Sequence, residues 1–306
     1  MKVVLVGEGS AATQVFQALQ QRQIPMVAVL TSPPDAKDRS AGSLWNVVSR
    51  AGVEPWPATL LQDPQLAERL RATGADILLN VYSLSLIPSD ILTIPPLGSY
   101  NVHPGPLPRY AGANSMCWAI YRGERQHGVT VHQMVSKVDA GPIAFQEMFA
   151  IEDEDTGLRV ATRCIQVGVG LILRLLEAAQ SSTGIPLAPQ DLSQREYFGR
   201  EVPQAGRIRW VVPARHVFNF IRACDFEPFA SPWGHPKAFF NSREMAVTKT
   251  SLTGRPCHVP PGTVGRVTAA GVEVACQDEW LLVKRIRLDK KSCSPMEVLT
   301  PGGELS

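Results

Sequence analysis

The sequence contains no apolar run approaching the roughly 18 residues that a membrane-spanning helix needs. Met1 leads directly into the apolar stretch at residues 3–6, without the h-region or small-residue cleavage site of a signal peptide. The six cysteines, at 117, 164, 224, 257, 276 and 293, lie far apart with no C-x-x-C pair. That spacing suggests neither a zinc site nor a redox motif, and it fits reduced thiols in a cytoplasm. Charge of one sign is also scarce, since 30 Lys and Arg balance 28 Asp and Glu to a net +2. The one dense basic cluster, Lys284, Arg285, Arg287, Lys290 and Lys291, has no accompanying pattern of stacking aromatics. It reads as a solvated strand edge rather than a nucleic-acid surface.

A chain of 306 residues exceeds what one core usually holds, so two domains are expected. The GEGSAA stretch at residues 7–12 follows a first strand and meets the G-x-G-x-x-A fingerprint superficially. A nicotinamide enzyme would carry an acidic residue at the end of the second strand, but residues 27–30 run into Thr31 and Ser32. The stretch therefore reads as a tight strand-to-helix turn. Asp63 as N-cap and Pro64 at the first position mark a helix start ahead of the apolar strand 77–81. Residues 114–122 read as a helix burying Met116, Cys117 and Ile120, and residues 156–180 as a long helix capped by Asp155. The aperiodic stretch 181–204 reads as a linker. A short helix from Pro213 and runs at 237–241, 244–250, 262–268, 271–276 and 280–288 then suggest a small barrel. The expected division is 1–189, a linker at 190–206, 207–291 and an aperiodic tail at 292–306.

Two stretches carry the chemistry. In SYNVHPGPLPRYAG, residues 99–112, Asn101 and His103 are two apart on a short strand and share a face. Pro104 restricts His103 to extended backbone, and Pro106 and Pro108 stiffen the turn beyond it. In GVTVHQMVSKVDAG, residues 128–141, an alternating strand runs into a loop that supplies Asp139. An amide, an imidazole and a carboxylate can carry acyl transfer with neither a covalent intermediate nor a metal.

These words together, N-x-H with its Pro- and Leu-containing loop, then G-V-T-x-H-x-M and V-D-A-G, resemble the 10-formyltetrahydrofolate-dependent formyltransferases. That family includes methionyl-tRNA formyltransferase, the aminoarabinose-nucleotide formyltransferase domain and the hydrolase domain of formyltetrahydrofolate dehydrogenase. The pattern is closer to the aminoarabinose-type domain. Further words, EYFGR at 196–200, Ile208-Arg209-Trp210 with Pro213-Ala214, and NFIRACD at 219–225, are similar to the start of the family's C-terminal domain. The resemblance runs over residues near 1–290. It implies an α/β, Rossmann-like formyltransferase domain that binds no dinucleotide, followed by a small OB-like β-barrel domain. It implies 10-formyltetrahydrofolate as cosubstrate, with the pterin held by the backbone at Ser85, Leu86 and Ile87. Val135, Ser136, Lys137, Val138 and Asp139 line the same site, and Asn101, His103 and Asp139 form the catalytic set.

Departures from the family pattern concern the acceptor. Where many members have an arginine before the glycine of the proline-rich loop, this chain has Ala111, and Arg209 replaces the acidic residue common before Trp210. The polar loop 32–42 corresponds to a basic, tRNA-contacting insertion of tRNA formyltransferases, yet here Asp35 and Asp38 offset Lys37 and Arg39. The reading is an N-formyltransferase acting on an amino sugar nucleotide or a carrier-tethered aminoacyl group, ahead of methionyl-tRNA. A 10-formyltetrahydrofolate hydrolase and a non-catalytic folate-binding module are the alternatives. Fusion to, or docking with, a larger biosynthetic assembly fits the tail.

Overall fold

The computed structural model describes residues 1–34, 43–83, 85–289 and 291–306. Lys37, Arg39, Asp35 and Asp38 of the polar loop, and Lys290 of the basic cluster, lie outside the described residues. The chain forms two compact units, and each is interleaved along the sequence: 1–112, 128–149 and 163–197 in the first, 113–127, 150–162 and 198–306 in the second.

The first unit is built on a seven-stranded sheet. Its strands are β1 (Val3–Gly7), β2 (Met26–Thr31), β3 (Trp56–Pro57), β4 (Ile77–Val81), β5 (Ser99–His103), β7 (Gln126–Gln133) and β8 (Ile143–Ala150), in the order β3-β2-β1-β4-β5-β7-β8. The first five run parallel and β7 runs antiparallel to β5. Every residue of β1 is buried, as expected for a parallel strand covered on both faces. The two-residue strands β6 (Ala111–Gly112) and β9 (Tyr197–Phe198) form a separate small sheet, where the Ala111 amide donates to the Glu196 carbonyl at 2.9 Å.

Helix α1 (Gly9–Gln21) follows β1 through the glycine-rich turn. A Cβ on Gly7 would sit 2.5 Å from the Ala12 side chain and 2.7 Å from the Val81 carbonyl, so the turn is a packing device. The Glu8 carboxylate ties it to the end of β2, accepting from Thr31 Oγ1 at 3.2 Å and from the Ser32 amide and hydroxyl at 2.8 Å. Helix α2 spans Leu44–Arg50 and α3 spans Leu66–Thr73. The expected cap Asp63 instead closes a turn, accepting from the Gln65 amide at 2.9 Å two residues on. Helix α4 is the single turn Ser89–Leu92.

In the second unit α5 (Ser115–Tyr121) buries Cys117, Ala119 and Ile120, and Trp118 stacks on Phe198 with centroids 4.9 Å apart. The long helix α6 (Gly157–Gln180) starts in the second unit and from Arg163 on belongs to the first; it is capped by Thr156, whose hydroxyl accepts from the Arg159 amide at 3.3 Å. Asp155, expected in that role, is buried and accepts from the Glu152 amide at 2.9 Å. Its side chain closes the preceding turn.

Helix α7 (Ala214–Ala223) packs Val217, Phe218 and Ile221 into the core of an antiparallel sheet. That sheet comprises β10 (Lys237–Phe240), β11 (Arg243–Pro256), β12 (Val264–Thr268), β13 (Gly271–Ala275), β14 (Glu279–Leu288) and β15 (Lys291–Cys293). Its order is β10-β11-β14-β13-β12, with β15 on β14. Residues 303–306 bridge both edges: Leu305 pairs with Phe240 of β10, and the Val264 amide of β12 donates to Gly303 at 2.8 Å. Leu305 is buried in the same core. In the basic cluster Arg285 pairs with Glu227 at 3.2 Å and Arg287 donates to His235 Nε2 at 2.9 Å.

Candidate active site

Strands β4 and β5 end beside each other and bring Asn80 opposite Asn101, while antiparallel β7 sets His132 opposite Asn101 and Thr130 opposite His103. The chemistry-bearing side chains thus meet where the parallel strands terminate, the usual place for ligands in open α/β sheets. Asn101 and His103 do share a face, because both reach Asp139. The Asn101 Nδ2 lies 3.4 Å from Asp139 Oδ1, and His103 Nδ1 lies 3.5 Å from Oδ2. The Gly112 amide donates to Oδ2 at 2.8 Å.

His103 is 3 % exposed and Asp139 is 7 % exposed. The His103 Nε2 sits 2.7 Å from the Tyr110 carbonyl, an acceptor only, so Nε2 carries the hydrogen. That leaves Nδ1, facing Asp139, as the ring nitrogen able to take a proton. Burial pushes the His103 pKa below its ordinary value, against the opposing pull of the Asp139 charge. For Asp139 burial works upward, but the charge of His103 and the hydrogen bonds from His132 and Gly112 together outweigh it. The carboxyl is held well below the usual range. The resting pair at neutral pH is an aspartate beside a neutral imidazole.

The proline-rich turn is pinned from β7. Thr130 Oγ1 donates to the Gly105 carbonyl at 2.7 Å and accepts from the Leu107 amide at 3.2 Å, while Gln146 Nε2 donates to the Leu107 carbonyl at 2.9 Å. The loop carrying Asp139 is held from residues read as the linker. Gln190 Nε2 donates to the Asp139 carbonyl at 3.1 Å and the Gly141 carbonyl at 2.6 Å, and Arg195 donates to the Val138 carbonyl at 3.1 Å. Asp139 itself is left-handed, with φ at 52°.

Sequence reasoning missed His132, Asn80, Thr130 and Gln190. The period-two alternation of residues 128–133 places Thr130 and His132 on one face and could have found both. Nothing in the aperiodic stretch around Gln190 announces its partners.

Of the residues expected to hold folate, Leu86 is 74 % exposed, and Val135 and Val138 also leave large apolar surfaces open to solvent. Ser136 and Lys137 are exposed as well. Ser85 donates its amide to Ser83 Oγ at 3.2 Å, and Ile87 packs against the core beneath β1, β2 and β4. A cavity of about 710 Å³ opens at the opposite end of β5, bounded by Leu92, Pro95, Tyr100, Gln133, Val135 and Ser136. It includes none of Asn101, His103 and Asp139. Among the described residues, no group of three His, Cys, Asp or Glu is arranged to hold a metal ion.

A profile described as formyl transferase matches residues 1–176, and one described as formyl transferase, C-terminal domain, matches residues 202–301. The chain belongs to the formyl transferase family. This formyltransferase is 31 % identical over 316 residues to the methionyl-tRNA formyltransferase of Synechococcus sp. (strain JA-3-3Ab), covering 100 % of this chain and 96 % of the relative. Its fold matches the N-formyltransferase from Helicobacter canadensis in complex with folinic acid and dTDP-3-aminofucose. There the TM-score is 0.71 at 17 % identity, over 93 % of this chain and 99 % of that one. HypX from Aquifex aeolicus in complex with tetrahydrofolic acid matches with a TM-score of 0.66 at 18 % identity, over 98 % of this chain but 47 % of that chain. The formyltransferase thus spans about half the length of HypX.

Proposed function

We propose that this enzyme transfers the formyl group of 10-formyltetrahydrofolate to a primary amine on a small or carrier-tethered acceptor, such as an amino sugar nucleotide or an aminoacyl group. The observation that carries the transfer chemistry is the convergence of Asn101 and His103 on the buried Asp139 carboxylate. The neutral amine attacks the formyl carbon and forms the new C–N bond, which places negative charge on the formyl oxygen. Collapse then breaks the bond to N10 of the folate, and that nitrogen takes up a proton. Asn101 Nδ2 donates to the developing oxyanion, a contribution of about 10² to 10³ in rate. Its 3.4 Å contact to Asp139 is long and yields to the incoming oxygen. His103 accepts the amine proton on Nδ1 and delivers one to the leaving nitrogen, worth about 10² to 10⁴. Asp139 stabilises the imidazolium that forms between those steps.

The pterin lies between the backbone at Ser85, Leu86 and Ile87 and the loop from Val135 to Asp139, where Leu86, Val135 and Val138 offer apolar surface. Structural neighbours solved with folinic acid and tetrahydrofolic acid support this cosubstrate. The offset of Lys37 and Arg39 by Asp35 and Asp38 in the sequence supports a small or carrier-tethered acceptor. A second reading, methionyl-tRNA as acceptor, is favoured by the full-length match to the Synechococcus enzyme.

The test measures tetrahydrofolate and formate release with aminosugar nucleotides, carrier-bound aminoacyl groups, methionyl-tRNA, or no amine. Turnover with only one of the first two supports the proposal, and turnover with methionyl-tRNA alone selects the second reading. Equal release without amine would identify a hydrolase. Asn101→Ala and His103→Ala should each lose at least about 10²-fold in kcat; near-wild-type turnover in either would sink the mechanism.

A further inference from the structure

The cavity of about 710 Å³ belongs wholly to the first unit and lies away from the catalytic side chains. Side chains alternate along β5, so Tyr100 and Val102 point to one face and Asn101 and His103 to the other. A Cβ on Gly168 of α6 would sit 3.0 Å from Val102 Cγ1, so the face of Tyr100 is the one that α6 covers. There the cavity runs between the stretch 92–98 and the end of α6, reaching Ile185 and Leu187 just beyond that helix. With the loops expected to hold folate it shares only Val135 and Ser136.

Its walls have a definite chemistry. Among the described residues that line it none is charged, and Leu97 and Leu187 leave apolar surface open to solvent. Two polar groups converge within. Tyr100 and Gln133 stand opposite each other in the β5–β7 ladder. The point that a Cβ on Gly98 would occupy lies 3.3 Å from the Tyr100 hydroxyl and 3.1 Å from Gln133 Nε2. Tyr100 is 2 % exposed, yet among the described residues neither its hydroxyl nor the Gln133 side-chain amide is hydrogen-bonded. A polar group held so far from water needs a partner, and the cavity is the side from which one can come.

Each of the two groups can both donate and accept, as a carboxamide can in return. A charged group would lose its hydration against these walls and find no counter-charge. A volume of this size suits a small organic molecule. We infer that the cavity is a binding site, separate from the catalytic one, for an uncharged ligand with an apolar body and a carboxamide edge. The edge meets Tyr100 and Gln133. This site stands whichever acceptor the enzyme uses.

Benzamide, a neutral carboxamide on an apolar ring, is the probe. Titrated into protein carrying ring-¹³C tyrosine, it should shift the Tyr100 signal, assigned by its loss in Tyr100→Phe, and saturate with a Kd of about 1 mM or tighter. Benzoate, of the same size but charged, should bind at least about 10-fold more weakly. Tyr100→Phe and Gln133→Leu should each weaken benzamide at least about threefold, read from saturation transfer to the ligand. Saturating folinic acid should leave the Kd for benzamide within about twofold, because the two sites are separate. No saturable shift at Tyr100, equal affinity for benzoate, or unchanged affinity in both variants would each overturn the inference. Displacement of benzamide by folinic acid would overturn it too, by making the cavity part of the cosubstrate site. Should either substitution prevent folding, the benzamide and benzoate titrations of the wild-type chain decide.

Discussion

A Cβ placed on Gly105 would lie 2.7 Å from His103 Nε2. The same Cβ would sit 2.8 Å from the Tyr110 carbonyl, so the residue that opens the proline-rich turn leaves room for the bond holding the imidazole. The backbone around His103 is thus shaped by the absence of a side chain two residues on. Asp139 has a comparable neighbour in Gly141, whose Cβ would meet the Gln133 carbonyl at 1.8 Å.

Gly105→Ala is therefore expected to break the His103–Tyr110 bond or displace the turn. Overpacking should cost about 1 to 3 kcal/mol of stability, and turnover should fall at least about 10²-fold as His103 moves. Urea unfolding and kcat measured together check this; unchanged kcat would show that the bond to Tyr110 is dispensable.

Burial depresses the His103 pKa, so the acid limb of kcat/KM should have its midpoint below the ordinary value of about 6.5. The Asp139 charge opposes that shift, so Asp139→Asn should lower the His103 midpoint further. Following the His103 C2 proton by NMR gives both values, and a rise in the variant would contradict the pairing.

Stability follows the same protons. His103 is depressed in the folded state, so the unfolded chain binds its proton first, and stability present above about pH 6.5 is lost as pH falls toward the folded value. Asp139, also depressed, adds a second loss below about pH 4. Denaturation midpoints at pH 7.5, 5.5 and 3.5 should fall in that order.

Gln190→Ala removes both hydrogen bonds that hold the carbonyls of Asp139 and Gly141. The expected stability loss is about 1 to 2 kcal/mol, and kcat should fall about 10-fold because a loosened loop misplaces the carboxylate. A variant with wild-type kcat would show that the loop keeps its shape unaided.

Arg222 tests the second unit by itself. It is buried and donates to the carbonyls of Asp155 at 2.8 Å and Glu152 at 3.3 Å and to Asn219 Oδ1 at 2.9 Å. Arg222→Met leaves these acceptors without their donor and should destabilise the protein by about 1 to 3 kcal/mol in urea unfolding.

Much of the molecule was legible beforehand because it depends on short-range rules. The apolar run of β1 and the mostly apolar β4 announce buried parallel strands, and the Gly- and Pro-punctuated runs after residue 236 announce the antiparallel sheet. Local rules misjudged ends and caps, as at Asp63 and Asp155, where neighbouring turns captured a carboxylate whose residue type suits either role. Leu305, in a stretch with no period, is buried because two edge strands needed partners.

By itself the sequence determined where an amide and an imidazole sit together: Asn101 and His103 share a face because strand side chains alternate, and the prolines beyond them stiffen the support. Only the tertiary structure decided what surrounds them. The register between β5 and β7 sets His132 against Asn101, and residues some 50 positions beyond Asp139 hold its loop. Such contacts join segments distant in the chain, and no local period or spacing encodes them. They are fixed when the buried faces of the sheet pack and each polar group left inside must find a partner.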